Sequence, residues 1–353
     1  MSISALPIPP KADLDHIFGG LDESDWKFFA GKRIFVTGGS GFLGKWLLSA
    51  LLDADHRMSL NCYIEVLTRS PQYFAAAMPH LALAKNIALR RGDIRNFDFP
   101  DDSFDIIVHG ATDVVAKKSP VETFSTCVEG TKHILEFAKV CGAIDFVLTS
   151  SGAVYGNHPL TVGGIPEDYS GAPDPTLTAS AYGEGKRVSE WLACTQAAET
   201  GLKVKIARIY AQIGPYLPLD KHFAIGNFIN DVLAEREIII RGDGTPVRSY
   251  LHAADTTIWL LAMLVRGAPN RAWNVGSGDG ISIAALAIRV ASLLGSKRGI
   301  KILKKADPSC NVEYYVPNVE RAKTELKFPE PIKIDDAILR TAKWIIDNNM
   351  VKK

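Results

Sequence analysis

An α/β fold, a doubly wound parallel sheet with a smaller C-terminal lobe, is predicted by three observations. Apolar, partly β-branched runs read as buried strands: Arg33 to Thr37, Cys62 to Leu67, Ile87 to Arg90, Phe104 to His109, Asp145 to Ser151 and Val204 to Tyr210. The first run stops at Gly38-Gly39-Ser40-Gly41, after which Leu43, Leu47, Ala50 and Leu51 recur at helical spacing. The chain's 353 residues are enough for one large α/β unit and a second, smaller lobe.

Composition narrows the function. With 47% hydrophobic residues, 22% charged residues and a formal net charge of +1, no global field attracts nucleic acid or an anionic membrane. Five cysteines (Cys62, Cys127, Cys141, Cys194 and Cys310) are dispersed, without a CxxC pair or a histidine at metal-ligand spacing. Reduced thiols and no metal are therefore expected. The first residues, MSISALPIPPKADLDH, lack a basic leader followed by a long apolar core, and no apolar run is long enough to span a bilayer. A cytoplasmic protein is the expectation.

Residues 1–30 form an N-terminal extension whose Trp26, Phe28 and Phe29 should pack on the domain that follows. Then comes the glycine turn. Gly38, Gly41 and Gly44 fall between a strand and the N-terminus of a helix, where bare backbone can approach a pyrophosphate and free N–H groups offset its charge. A dinucleotide is the occupant this predicts, and the fold is then Rossmann-type. At the end of the second strand a carboxylate would select NAD and an arginine would accommodate the phosphate of NADP. Here Thr68 takes the acid's place and Arg69 follows, which tilts the choice toward NADP.

Two further segments carry chemistry. Ser150 and Ser151 end a strand ahead of Gly152-Ala153-Val154-Tyr155-Gly156, and Tyr182-Gly183-Glu184-Gly185-Lys186 opens a helix. A tyrosine and a lysine four residues apart share a helix face. The ammonium is expected to lower the phenol's pKa from about 10 toward neutrality. A phenol so tuned takes the proton of a hydroxyl as hydride leaves its carbon, and returns it on reduction.

The spacing Gly38-x-x-Gly41-x-x-Gly44, the Arg91-Gly92-Asp93-Ile94 turn, Val108-His109-Gly110-Ala111-Thr112, Ser150 to Gly156 and Tyr182 to Lys186 occur here in one order. Together they resemble the extended short-chain dehydrogenase/reductase family, the NAD-dependent epimerases and dehydratases, and among them the nucleotide-sugar 4-epimerases. The resemblance implies Ser151, Tyr182 and Lys186 as catalytic residues. It implies a cofactor site of Gly38, Ser40, Gly41, Phe42, Leu43 and Gly44 at the pyrophosphate, with Thr68 and Arg69 at the adenosine ribose and Asp93 with Ile94 at the adenine. Gly110, Ala111, Thr112, Thr149 and Tyr210 complete it, and Lys186 also reaches the nicotinamide ribose. His109 is read as a packed strand-end residue. Cys127 departs from the family's asparagine in the segment leading to Gly130-Thr131, leaving the local hydrogen bonding without an explanation.

On the substrate side, Asn227 and Arg248 match substrate contacts of the family, with plain helix capping as the alternative for Asn227 and an exposed hairpin arginine as that for Arg248. Ala211 replaces a diphosphate-binding asparagine, and Tyr314 stands where the family commonly has a second phosphate-binding arginine before Tyr315-Val316-Pro317. Residues 237–251, with Gly242-Asp243-Gly244 between two apolar runs, are expected to form a hairpin. The expected division is a cofactor domain over 31–212, with a return segment at about 252–278, and a substrate-binding lobe over 213–251 and 279–353.

No acid stands at Gly152 or Ala153, where 4,6-dehydratases and the decarboxylase branch keep one, so simple C4 chemistry is expected. The expected function is NAD(P)-dependent 4-epimerisation of a nucleotide-diphosphate sugar, with NADPH-dependent 4-ketoreduction as the runner-up. A non-catalytic NADP-sensing protein is a third reading, disfavoured by the intact Ser151, Tyr182 and Lys186. The resemblance also implies a homodimer, and no nucleic-acid or membrane partner is expected.

Overall fold

The computed structural model describes residues 5–112, 119–158, 163–221, 223–307, 309 and 311–352; Cys310 lies outside them. Two helices, α1 (Lys11–Gly19) and α2 (Glu23–Lys27), precede β1 (Arg33–Thr37) and the long α3 (Phe42–Met58). The chain continues through β2 (Tyr63–Thr68), α4 (Pro71–Ala77), α5 (Pro79–Ala82), β3 (Ile87–Arg91), β4 (Ile106–His109), α6 (Pro120–Val140), β5 (Asp145–Ser151), α7 (Ala181–Thr200) and β6 (Lys203–Ile209). Next come β7 (Gln212–Ile213), α8 (Ala224–Leu233), β8 (Ile238–Ile240), β9 (Val247–Arg248), β10 (Leu251–His252), α9 (Ala253–Arg266) and β11 (Arg271–Val275). Last are β12 (Ile281–Ser282), α10 (Ile283–Leu293), β13 (Ile300–Ile302), β14 (Tyr314–Tyr315), α11 (Glu320–Leu326) and α12 (Ile334–Asp347).

Among the described residues, seven of these strands form one parallel sheet in the order β11-β6-β5-β4-β1-β2-β3. Its strands read as unbroken apolar runs because both faces are covered. Ile34 and Val36 belong to the layer of Trp46 and Trp259, whereas Phe35 between them belongs to the layer of Phe137 and Ala193. The strand order reverses between β1 and β4, and there the connections leave in opposite directions and open a crevice at the strands' carboxyl ends.

The N-terminal extension is part of this core. Leu14, Ile17, Trp26 and Phe29 are all buried, and ion pairs tie the segment to the rest of the chain, among them Arg266 to Asp25 at 2.5 Å, Arg340 to Asp13 at 2.5 Å and Arg57 to Asp15 at 2.6 Å.

The hairpin expected over 237–251 does not form. Instead β8 pairs in parallel with β13, while β9 lies between an antiparallel β12 and a parallel β14. The Gly242-Asp243-Gly244 turn is closed locally, since Asp243 accepts the backbone N–H of Thr245 at 3.0 Å and its hydroxyl at 2.9 Å. That bonding satisfies the turn without pairing its two arms, and each arm takes a distant strand as partner.

Candidate active site

The glycine turn after β1 is shaped by close backbone contacts. Gly38 has φ +76°, and a Cβ there would come within 2.5 Å of the Gly110 carbonyl. A Cβ on Gly44 would fall 2.3 Å from the Gly38 oxygen. These two glycines let α3 and the end of β4 close onto the turn. Gly41, at the N-cap of α3, lends the helix no side-chain cap, and the first turn carries no acid. Its leading N–H groups are therefore presented to an anion.

The crevice beyond is lined by Gly38, Ser40, Gly41, Thr68, Arg69 and Asp93, and farther along by Ile94, Gly110, Ala111 and Thr112. Phe42, Leu43 and Gly44 form the first turn of α3 beside it. A bare-backbone cradle at one end and an arginine with an acid at the other fit a dinucleotide. Asp93 accepts Arg95 Nε at 2.8 Å and Nη2 at 2.9 Å, and this pairing pulls its carboxyl down to about 2. Asp93 is thus an anion throughout the physiological range. Tyr210 stands apart from the crevice: it is buried with Val154, Tyr155 and Ile165, its ring centroid 4.5 Å from that of Tyr315. That position is beside Gly152, where a Cβ would come 2.6 Å from Tyr210 Cζ, next to the end of β5.

At the end of β5 the catalytic candidates converge. Lys186 is 3% exposed, and its ammonium donates to the Thr149 carbonyl at 2.6 Å while lying 6.0 Å from the centre of the Tyr182 ring. Thr149 in turn donates through Oγ1 to the His109 carbonyl at 3.1 Å. Ser151 Oγ accepts the Ala153 N–H at 3.2 Å and faces two phenols, lying 3.4 Å from Tyr315 Oη and acting on Tyr182 as a hydrogen-bond partner.

The tuning expected of Tyr182 is not what the structure has. Burial pushes its pKa above the ordinary tyrosine range, and the hydrogen bond from Ser151 works against this. Removal of the phenol from water dominates. Burial also lowers the pKa of Lys186.

Cys127 has its explanation too. His109 Nδ1 lies 2.9 Å from Thr37 Oγ1, and its Nε2 lies 3.2 Å from Thr131 Oγ1. Because Thr37 Oγ1 accepts the N–H groups of Gly110 and Ala111, its own proton goes to Nδ1, which assigns the histidine proton to Nε2. Thr131 then donates to Ser189 Oγ at 2.9 Å, and Ser189 faces the carbonyls of Cys127 and Gly185 at 3.0 and 2.9 Å. This chain of hydroxyls satisfies the groups near β4 without an asparagine. Cys127 itself packs on Gly185, where a Cβ would come 2.9 Å from its own.

On the substrate side, Arg248 donates to Glu313 at 2.6 Å and to the Val247 carbonyl at 2.9 Å, with its guanidinium carbon 5.6 Å from the centre of the Tyr315 ring. It stands at the reaction centre's edge. Asn227 instead lies within the first turns of α8 and donates to the Lys221 carbonyl at 2.7 Å, which holds the preceding loop.

Sequence reasoning passed over Tyr315, used only as a landmark, and the pair Glu190 and Arg208. Arg208 Nη2 donates to Glu190 at 2.7 Å, and Ser150 Oγ donates to the same carboxylate at 2.5 Å. A glutamate one turn beyond Lys186 and a lone arginine in a buried strand were the available signals.

A parallel sheet with a glycine cradle at its switch point defines a dinucleotide-binding protein. The chain belongs to the NAD dependent epimerase/dehydratase family, whose model matches residues 34–276. Among curated proteins it is similar to UDP-glucuronic acid decarboxylase 6 of Arabidopsis thaliana, 30% identical over 324 residues and 88% of each chain. Among solved structures it is similar in fold to the dTDP-glucose 4,6-dehydratase of Bacillus anthracis in complex with NAD (23% identity, 91% of this chain and 98% of that one, TM-score 0.76). It is similar again to a UDP-glucuronic acid 4-epimerase of Bacillus cereus solved with NAD (22% identity, 90% and 99%, TM-score 0.76). Among the described residues no helix is long and apolar enough to cross a membrane.

Proposed function

We propose that the protein carries out NAD(P)-dependent oxidoreduction at C4 of a nucleotide-diphosphate sugar, as a 4-epimerase. The observation that carries this reading is the pair Gly152 and Ala153 immediately after Ser151. Elimination of water or loss of a carboxylate calls for a further acid or base beside C5, and this stretch supplies neither. The similarity to decarboxylases points the other way, but at 30% identity a shared fold and cofactor can carry different chemistry.

Ser151 and Tyr182 hold the C4 oxygen between their hydroxyls, and Lys186 fixes the end of β5 through the Thr149 carbonyl. Bound dinucleotide supplies the acceptor and donor of hydride. Tyr182 moves the hydroxyl proton at Oη, a positioned acid–base role worth about 10² to 10⁴ in rate. Closure of the cleft by the sugar excludes water from this centre.

A second reading, 4-ketoreduction with NADPH, is favoured by two specific observations: Arg69 beside Thr68 at the end of β2, and a Tyr182 phenol whose raised pKa suits it to protonate a carbonyl oxygen. The test is incubation with NAD or NADP and, in turn, UDP-glucose, UDP-galactose, UDP-glucuronate and dTDP-glucose, with products identified by NMR. A C4 epimer formed without net change in cofactor is expected. Release of carbon dioxide from UDP-glucuronate would overturn the proposal in favour of decarboxylation. Turnover seen only with 4-keto sugars and NADPH would replace it with the second reading.

A further inference from the structure

The C-terminal lobe sends one side chain into the reaction centre. Tyr315 lies on β14, in parallel register with Arg248 on β9, and its Oη is 3.4 Å from Ser151 Oγ although 164 residues separate the two. Ser151 acts as a hydrogen-bond partner on both Tyr315 and Tyr182. The ring is held rather than loose. Tyr210 packs against it at 4.5 Å, His158 meets it edge-on at 5.4 Å, and the Arg248 guanidinium lies 5.6 Å away.

Gly152 makes this approach possible. A Cβ at position 152 would stand 2.7 Å from Tyr315 Oη and 2.6 Å from Tyr210 Cζ, distances that a real side chain does not tolerate. So the place where a side chain of residue 152 would project is already filled by a phenol. Burial pushes the Tyr315 hydroxyl up to about 12, which keeps it neutral and able both to donate and to accept a hydrogen bond.

We infer that Tyr315 contacts the sugar as a third hydroxyl of the reaction centre, bonding an oxygen next to C4 and, with Gly152, filling the space an acidic side chain would need. The inference rests on the C4 reading given above. An oxygen held between Ser151 and Tyr182 brings its neighbours on the sugar ring to the third hydroxyl that faces Ser151. Such a contact acts on the sugar, and Tyr315 is not among the residues lining the crevice around the glycine turn, Arg69 and Asp93.

Tyr315→Phe keeps the ring and its packing and removes only the hydroxyl. Binding of UDP-glucose, of UDP alone and of NAD and NADPH is measured by calorimetry for the wild type and the variant, alongside kcat and KM for the best substrate of the panel. UDP-glucose is replaced by that substrate, and UDP by its nucleotide, if another sugar nucleotide binds better. The expected result is a loss of roughly tenfold in sugar-nucleotide affinity or in kcat/KM, with nucleotide and cofactor affinities unchanged. Unchanged sugar-nucleotide affinity and kcat/KM in Tyr315→Phe would overturn the inference while leaving the C4 reading intact. An equal loss for nucleotide and sugar nucleotide would overturn it as well, by showing a general effect on the lobe. If the wild type neither binds nor turns over any of the sugar nucleotides, the C4 reading fails and takes this inference with it.

Discussion

Replacing Glu190 with alanine should cost about 3–5 kcal/mol of stability. Its carboxylate on α7 takes Arg208 Nη2 at 2.7 Å, Arg208 Nε at 3.0 Å and Ser150 Oγ at 2.5 Å. The two charged side chains are only 11% and 16% exposed, so water cannot replace the lost partner. Without Glu190, Arg208 retains Tyr155 Oη at 2.8 Å and the Glu167 carbonyl at 2.9 Å, both neutral, and its buried charge is left without a bonded anion. Glu190→Gln keeps the shape and one acceptor and should cost less, about 1.5–3 kcal/mol. Urea unfolding of the three proteins at pH 7.5, followed by tryptophan fluorescence and circular dichroism, gives the comparison. A loss below about 1 kcal/mol in Glu190→Ala, the range of ordinary surface substitutions, would refute the reasoning and show that the pair is effectively solvated. Since Ser150 precedes Ser151 and Glu190 follows Lys186 by one turn, turnover should fall in Glu190→Gln even where the fold survives.

Three further outcomes are expected. Tyr182→Phe and Lys186→Met should each abolish turnover with little change in melting temperature; near-full activity in Tyr182→Phe would remove the acid–base assignment. Arg69→Ala should weaken NADPH binding more than NADH binding in fluorescence titrations, and equal effects would end the argument for a phosphate at the ribose. Stability should also fall on acidification below neutrality, because burial lowers His109 and His252 from 6.5 to about 3. Their neutral forms contribute fully above about pH 6.5, and the contribution is lost as the pH falls toward 3, by up to about 1.4 kcal/mol per pH unit for each histidine. In urea titrations between pH 7 and pH 5, His109→Gln should show a shallower decline than the wild type; an identical slope would exclude His109 as a source.

Each kind of prediction draws on a different level of the molecule. Those for Tyr182, Lys186 and Arg69 come from residues whose roles follow from neighbours a few positions away: a strand that ends in glycines, and two side chains on one helix face. Those for Glu190, His109 and Tyr315 could not have been framed without the folded chain, because each depends on partners from other elements. The similarity to decarboxylases shows how far a motif reaches. The motif identifies a dinucleotide site and the family, while the fate of a bound sugar depends on which groups surround its carbons.

By itself the sequence determined the local structure: the apolar runs of the sheet, the glycine cradle, the position of Ser151 at a strand end and the shared helix face of Tyr182 and Lys186. These depend on backbone preferences and side-chain periods that act within a few residues. Only the tertiary structure decided that residues 238–252 pair with distant strands rather than with one another, that the Thr131 and Ser189 hydroxyls satisfy the groups an asparagine at 127 would have served, and that Tyr315 meets Ser151. It also decided the burial of Tyr182, which pushes its pKa up and which the spacing of Tyr182 and Lys186 does not give. Burial and contacts across more than a hundred residues arise only when the layers and the lobe close together, and no local pattern encodes which side chains are then brought face to face.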